Sequence, residues 1–326
     1  MQGQAVWFTG PHEVTTKSVE VGEPGANEVV IEAQRSAISA GTERLLFCDD
    51  VPADLPADMS LAALNGDLSY PLRYGYATVG EITRTGEDVP STWLRERVFA
   101  FHPHQTRFTC EISDVLALDE LSYEEGACLP FMETAVNLAL DAQPRLGERV
   151  VVFGAGTIGL LTVTLLSAFP VEGVHVVEPS EPRRRLATDF GATTTSPSEP
   201  TDSNFDIAIE VSGNPEAFEH AVDAVGYGGR VIVGSWYGEQ PVTADLGRGF
   251  HRDRVTVRSS QVSTIQPALR GRWSKERRLS VAKERLASTD VDPLISHRIP
   301  ITDVAKAYEL LVRPPDETHQ IILEYT

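Results

Sequence analysis

The apolar positions of this chain fall into two regimes. From residue 1 to about residue 120 they come as short β-type runs, Ala5 to Phe8, Glu28 to Ala33, Ala77 to Arg84 and Arg97 to Phe101, separated by Gly, Pro, Asn and Asp turns. Asp49 to Asp67 is irregular and polar, which predicts a surface excursion. Ser122-Tyr-Glu-Glu125 has the pattern of a capping box and predicts a helix carrying Ala127 and Cys128. Pro130 interrupts that helix, and Glu133 to Leu140 resumes helical spacing. Beyond it, β-branched runs alternate with helical ones. Val150 to Phe153, Gly173 to Glu178, Phe205 to Val211 and Arg230 to Trp236 read as buried strands, with helices over Leu160 to Ala168 and Pro215 to Val225. That alternation predicts an α/β fold with a parallel, doubly wound sheet. Thr302 to Leu311 is helical and Gln320 to Tyr325 a last strand. Because a long segment outside the alternation precedes that strand, the chain is expected to return to its N-terminal domain.

The junction of the first strand and helix carries the chemistry. Gly154, Gly156 and Gly159 form GxGxxG in the sequence Gly-Ala-Gly-Thr157-Ile158-Gly. In a dinucleotide-binding turn the first glycine makes the tight bend, the second admits the pyrophosphate and the third lets helix and strand pack closely. The phosphates then sit on the helix N-terminus, where unpaired N–H groups favour anions. Glu178 follows Gly159 by nineteen residues at the end of the second strand, where a carboxylate accepts ribose hydroxyls. Val150 to Phe169 is also nearly uncharged and long enough for a membrane helix, but three glycines near its start favour strand–turn–helix. NAD(H) is the expected cofactor. NADP(H) is the alternative, because Arg183 and Arg184 can reach a 2′-phosphate. Ser212, ending the third strand, belongs to the same expected site.

Length and charge narrow the partners. A chain of 326 residues accommodates two domains, and its formal net charge of −19 argues against nucleic acid or an anionic membrane as partner. Lys17, Lys275, Lys283 and Lys306 are the only lysines; acid excess with few lysines has the look of a halophilic protein. Cys48, Cys110 and Cys128 lie far apart without CxxC spacing and read as free thiols. The segment Met1 to Phe8 shows no basic region followed by an apolar run, so a cytoplasmic location is expected.

The order of a β-rich domain, a Rossmann unit and a return resembles the medium-chain dehydrogenase/reductase superfamily. The resemblance is carried by Tyr70-Pro-Leu-Arg-Tyr-Gly-Tyr-Ala-Thr-Val-Gly-Glu81, Gly147-Glu-Arg-Val150, the GAGTIG turn and Gly228-Gly-Arg-Val-Ile-Val-Gly234, and it spans essentially the whole chain. Ser36-Ala-Ile-Ser-Ala-Gly-Thr-Glu-Arg-Leu-Leu-Phe47 resembles the branch that contains bacteriochlorophyllide a dehydrogenase. The resemblance implies a Rossmann domain over residues 122–265, and a GroES-like catalytic domain over residues 1–121 completed by a return segment over residues 266–326. It also implies a small-molecule substrate and a homodimer.

The departures from the superfamily pattern set the catalytic expectation. Where its zinc enzymes carry a cysteine this chain has Ser39 or Ala40; where they carry His-Glu after a glycine it has Tyr76-Ala77; their third ligand falls near Phe131 or Met132. Glu43, Glu133, His102 and His104 are the alternative ligands, but the expectation is no zinc. Alcohol–ketone chemistry then needs a side chain to handle the proton. Tyr76 takes the position of the zinc-binding histidine, as substrate-polarising phenol or as volume filler. Thr42 matches the superfamily's proton-relaying hydroxyl, or is a turn residue beside Gly41. His102 and His104, bracketing Pro103, are acid/base candidates near neutral pH. Thr134 matches a residue packing behind the nicotinamide. The run Arg270-Gly-Arg-Trp-Ser-Lys-Glu-Arg-Arg278 crowds basic residues into an acidic chain. Helical spacing puts Arg270, Trp273 and Arg277 on one face, as an anion-binding substrate site or as a solvated surface. The expected activity is zinc-independent interconversion of a secondary alcohol and a ketone on an anionic or aromatic substrate. Quinone or enone reduction, or dinucleotide binding without catalysis, are the rivals.

Overall fold

The computed structural model describes every residue except Ala53, Met59, Ser60, Ala62, 198–203, 314–317 and Thr326. The chain divides into two compact units, Met1–Pro130 with Asp290–Thr326, and Phe131–Thr289.

The first unit begins with an antiparallel hairpin, β1 (Gln2–Gly10) and β2 (Glu13–Glu20). It continues through β3 (Glu28–Ala37), helix α1 (Ala40–Cys48), β4 (Thr78–Thr85), β5 (Arg97–Ala100), β6 (Arg107–Glu111), β7 (Val115–Ala117) and α2 (Tyr123–Ala127). The α2 start is a full capping box: Ser122 Oγ accepts the Glu125 N–H, and the Glu125 carboxylate accepts the Ser122 N–H. The Asp49 to Asp67 excursion is pinned where it is described, since Val51 and Leu64 are buried in the unit's core.

In the second unit α3 (Leu129–Ala142) leads into β8 (Arg149–Phe153), α4 (Thr157–Ser167), β9 (Gly173–Val177), α5 (Glu181–Asp189) and β10 (Thr193–Thr195). Strands β11 (Phe205–Glu210), β12 (Val225–Val233) and β13 (Thr256–Ser259) complete the sheet, with α6 (Pro215–Ala224) between β11 and β12. All six strands are parallel, in the order β10-β9-β8-β11-β12-β13. The order reverses between β8 and β11, so the crevice outside their C-terminal ends is the topological switch point, where such sheets bind ligands. Val150, Val151, Val152, Ile207, Ala208, Ile209, Val231 and Ile232 are fully buried, the valines and isoleucines each contributing roughly 1.5–3 kcal/mol of transfer free energy. Among the described residues no helix is long and apolar enough to cross a membrane; the uncharged run at Val150 is strand, turn and helix.

Residues 266–289, which the sequence joins to the return segment, group with the second unit. Their helix α7 (Lys275–Leu286) buries Arg278, Ala282 and Leu286 along one side. The chain then re-enters the first unit as β14 (Ile295–Pro300), α8 (Val304–Leu311) and β15 (Gln320–Glu324). There β15 joins β14 to β3, so that the first unit's main sheet runs β14-β15-β3-β4-β5-β7, with β6 on β3.

Candidate functional site

The dinucleotide turn has the geometry its glycines require. Gly154 has φ +102°, and a Cβ there would stand 2.7 Å from Ser212 Cα. A Cβ on Gly159 would stand 2.1 Å from the Gly154 carbonyl oxygen. Both positions are closed by the protein itself. Gly156 differs. Its φ of −74° and ψ of −177° suit any residue, and a Cβ on it would meet nothing within 4 Å. Next to it the Thr157 hydroxyl is buried and hydrogen-bonds nothing. Open space over a glycine, an orphaned hydroxyl and the free N–H groups of the α4 N-terminus fit a pyrophosphate. Gly154, Gly156, Thr157, Ile158 and Gly159 would hold it.

Gly156→Ala is therefore expected to fold normally and to raise the NADH dissociation constant by about tenfold or more, a cost of ~1.4 kcal/mol. Gly159→Ala should instead lower the melting temperature, because its Cβ meets backbone. Tryptophan-to-NADH energy transfer and thermal melts separate the two; unchanged NADH affinity in Gly156→Ala would remove the pyrophosphate assignment.

Glu178 lies immediately after β9, buried beside the glycine turn. One carboxylate oxygen accepts the Ala155 N–H at 2.8 Å and the other the Ser180 N–H at 2.9 Å. The ribose-binding candidate thus also ties the turn to the second strand. Arg183 stands in the first turn of α5, whereas Arg184 donates to the carbonyls of Glu178 and Pro179, both at 2.7 Å. Ser212 borders Gly154 and is held by the buried Glu210, whose Oε1 accepts both its N–H, at 2.8 Å, and its hydroxyl, at 2.5 Å. Tyr237 donates its phenol to the other oxygen of Glu210. Thr134 sits on α3, one position after Glu133.

In the first unit Tyr76, Ser39 and Thr42 form a cluster of hydroxyls. Tyr76 donates to Ser39 Oγ at 2.5 Å and shares a hydrogen bond with Thr42. Burial pushes its phenol up to about 12, with the Ser39 and Thr42 bonds working in the opposite direction. At neutral pH it is a hydrogen-bond donor. Thr42 lies in the first turn of α1, and Ser39 is that helix's N-cap residue. A serine there ordinarily caps the helix, worth about 1 kcal/mol; Ser39 makes no capping bond and spends its side chain on Tyr76. Three hydroxyls joined to one another, with no thiolate or imidazole among them, do not fit tetrahedral zinc. Among the described residues no group of three or more His, Cys, Asp or Glu is arranged to hold a metal.

The two histidines differ from the sequence expectation. His102 stacks on Phe108, with ring centroids 3.7 Å apart, and its Nδ1 bonds the Pro103 carbonyl oxygen. Burial pushes its pKa down to about 4, so it is neutral and unsuited to proton exchange near pH 7. His104 is wholly buried, its Nε2 3.0 Å from Glu43 Oε2 and its Nδ1 2.6 Å from Ser36 Oγ. Both of its ring nitrogens are taken up by protein partners. The local sequence shows the pair of histidines but not their enclosure.

The basic run is divided by the start of α7 at Ser274, so Arg270, Trp273 and Arg277 do not share one helix. Arg277 stacks over Trp273 at 4.3 Å and donates to the Arg272 carbonyl; Arg270 donates to the Ile265 carbonyl at 2.9 Å. The residue that sequence reasoning missed is Arg278. Its guanidinium is buried against Glu133, with Nε and an Nη 3.0 and 2.9 Å from Oε1, and it also donates to Asn137 Oδ1 at 2.6 Å and to the carbonyls of Val262 and Thr264. Glu133 is thereby removed from the list of metal ligands.

The sequence profile of the zinc-binding dehydrogenase family matches residues 157–280. Over 97% of this chain and 96% of the relative, 26% of residues are identical to 2-desacetyl-2-hydroxyethyl bacteriochlorophyllide A dehydrogenase of Rhodobacter capsulatus. Among solved structures, 2R,3R-butanediol dehydrogenase from Bacillus subtilis superposes with a TM-score of 0.80 at 20% identity, covering 99% of this chain and 100% of that one. A short chain alcohol dehydrogenase from Escherichia coli CFT073, complexed with the cofactor NADH, gives a TM-score of 0.82 at 17% identity, with 99% of each chain covered.

Proposed function

We propose that the chain, similar to a bacteriochlorophyllide dehydrogenase over nearly its whole length and to the zinc-binding dehydrogenase family over residues 157–280, is a medium-chain dehydrogenase/reductase: an NAD(H)-dependent oxidoreductase interconverting a secondary alcohol and a ketone without zinc. The observation that carries the reading is the Tyr76 cluster: a phenol that stays protonated up to about 12, held by Ser39 and Thr42, with Tyr76 and Ser39 standing where the resemblance aligns two of the zinc enzymes' ligands. The dinucleotide supplies or accepts the hydride. Tyr76 donates its proton to the carbonyl oxygen as reduction proceeds, and takes it back in the oxidation of the alcohol. Ser39 and Thr42 hold the phenol and return its proton. NAD(H) is favoured over NADP(H) because the Glu178 carboxylate repels a 2′-phosphate.

The proposed substrate is an anionic or aromatic alcohol, a reading supported by the guanidinium of Arg277 stacked over Trp273 at 4.3 Å. The working protein is proposed to be a cytoplasmic homodimer. A nicotinamide-absorbance screen tests the reading. Purified protein is given NAD with 2,3-butanediol, sorbitol, aryl ethanols and hydroxy acids, or NADH with the matching ketones, quinones and enones. Turnover of an alcohol–ketone pair is expected. Turnover of quinones or enones alone overturns the reading in favour of a conjugate reductase, and NADH binding without any turnover overturns it in favour of a binding protein.

A further inference from the structure

We propose that the buried Glu43–His104 pair is a positioning device for the Tyr76 phenol, an inference that rests on reading Tyr76 as the proton donor. Glu43 Oε1 accepts the Ser39 N–H at 2.7 Å, and Oε2 accepts the Tyr308 hydroxyl and lies 3.0 Å from His104 Nε2. From His104 the network continues through Ser36 Oγ, at 2.6 Å, to Tyr325 Oη, a further 2.7 Å away. All five side chains are buried. They come from β3, α1, the loop after β5, α8 and the residue following β15, so the returning C-terminal segment takes part in setting this geometry.

Stability alone does not explain such a network. A buried carboxylate with an imidazole costs desolvation that well-packed apolar side chains would avoid, and the retained benefit is fixed position. The position fixed here is that of Tyr76, from two directions. Ser39 hangs its N–H on Glu43 while its hydroxyl holds the phenol. Gly75, the residue before Tyr76, has φ +104°, and a Cβ on it would stand 2.5 Å from the His104 ring. The imidazole therefore lies directly against the backbone that carries Tyr76. Moving the pair moves both the hydroxyl that holds the phenol and the backbone beneath it.

The test is a double-mutant cycle with Tyr76→Phe, using the ketone that the screen above selects and NADH. Glu43→Ala should lower kcat about ten- to hundredfold, the effect of a sub-ångström to ångström misplacement, with the NADH dissociation constant unchanged. Glu43→Gln keeps the acceptor for the Ser39 N–H, turns its amide NH2 towards the Tyr308 hydroxyl and His104 Nε2, and should hold kcat within about threefold. In the Tyr76→Phe background Glu43→Ala should change kcat no further. A full, multiplicative loss in that background, or no loss in the wild-type one, overturns the proposal. Should Glu43→Ala fail to fold, Tyr308→Phe takes its place: it removes one donor to Glu43 and keeps the ring packed on Phe8 and Phe47. A several-fold fall in kcat confined to the wild-type background is then expected, and equal falls in both backgrounds, or none in either, overturn it. Wild-type kcat in Tyr76→Phe alone defeats the reading of Tyr76 itself and is distinguishable from these outcomes.

Discussion

Tyr76→Phe should lower kcat for ketone reduction by about 10²–10³, the usual cost of removing one preorganised donor or general acid, with NADH binding intact. The ring stays and keeps its edge contact with Tyr74, 6.2 Å between centroids, so the fold should be unaffected. Only the hydroxyl that meets Ser39 and Thr42 disappears. The pH profile gives an independent check. Burial favours the uncharged phenol and pushes its pKa up to about 12, so kcat/KM for ketone reduction should be level from pH 7 to pH 10 and fall only as pH approaches that value. His102, pushed down to about 4, adds no inflection near neutrality. A Tyr76→Phe enzyme with wild-type turnover, or a wild-type profile falling through pH 7 to 8, contradicts the assignment.

Arg278→Ala should destabilise the second unit by about 3–5 kcal/mol, the penalty for breaking a buried ion pair from one side. Arg278 is 1% exposed, and its loss strands the Glu133 carboxylate, Asn137 Oδ1 and the carbonyls of Val262 and Thr264 at once. Burial already pushes the Glu133 carboxyl above its usual range against the pull of Arg278. Without the guanidinium it is expected to take up a proton, and part of the lost stability should return at low pH. Arg277→Ala, its exposed neighbour, should change stability by less than ~1 kcal/mol. Denaturant titration of the two variants measures this; equal stabilities would show that the buried pair does not hold α7 to α3.

The Rossmann unit was legible in the sequence because its signals are local. Val150 to Phe153, the three glycines and Glu178 lie within thirty residues, and each acts on near neighbours. The Ser122 capping box was readable for the same reason. The network around Glu43 was not, because its partners come from residues 36, 104, 308 and 325, and no periodic pattern links them. Ser39 looked like a lost metal ligand; only the structure shows it giving up its capping bond to hold Tyr76. In the basic run, charge density hid the one residue that differs. A signal existed: Arg278, Ala282 and Leu286 are spaced by four, which sets Arg278 in line with the buried side of α7. Glu133, Asn137 and Asp141 have the same spacing on the mostly apolar α3, which marks an internal polar partner.

In the proposed reaction Tyr76, not zinc, handles the substrate oxygen during hydride transfer. The most direct measurement is turnover of the selected alcohol–ketone pair after exhaustive dialysis against 1,10-phenanthroline, with zinc quantified by elemental analysis on the same sample. Full activity is expected with zinc well below one ion per chain, and no gain when zinc is added back. Activity that falls with the metal and returns with zinc would contradict it.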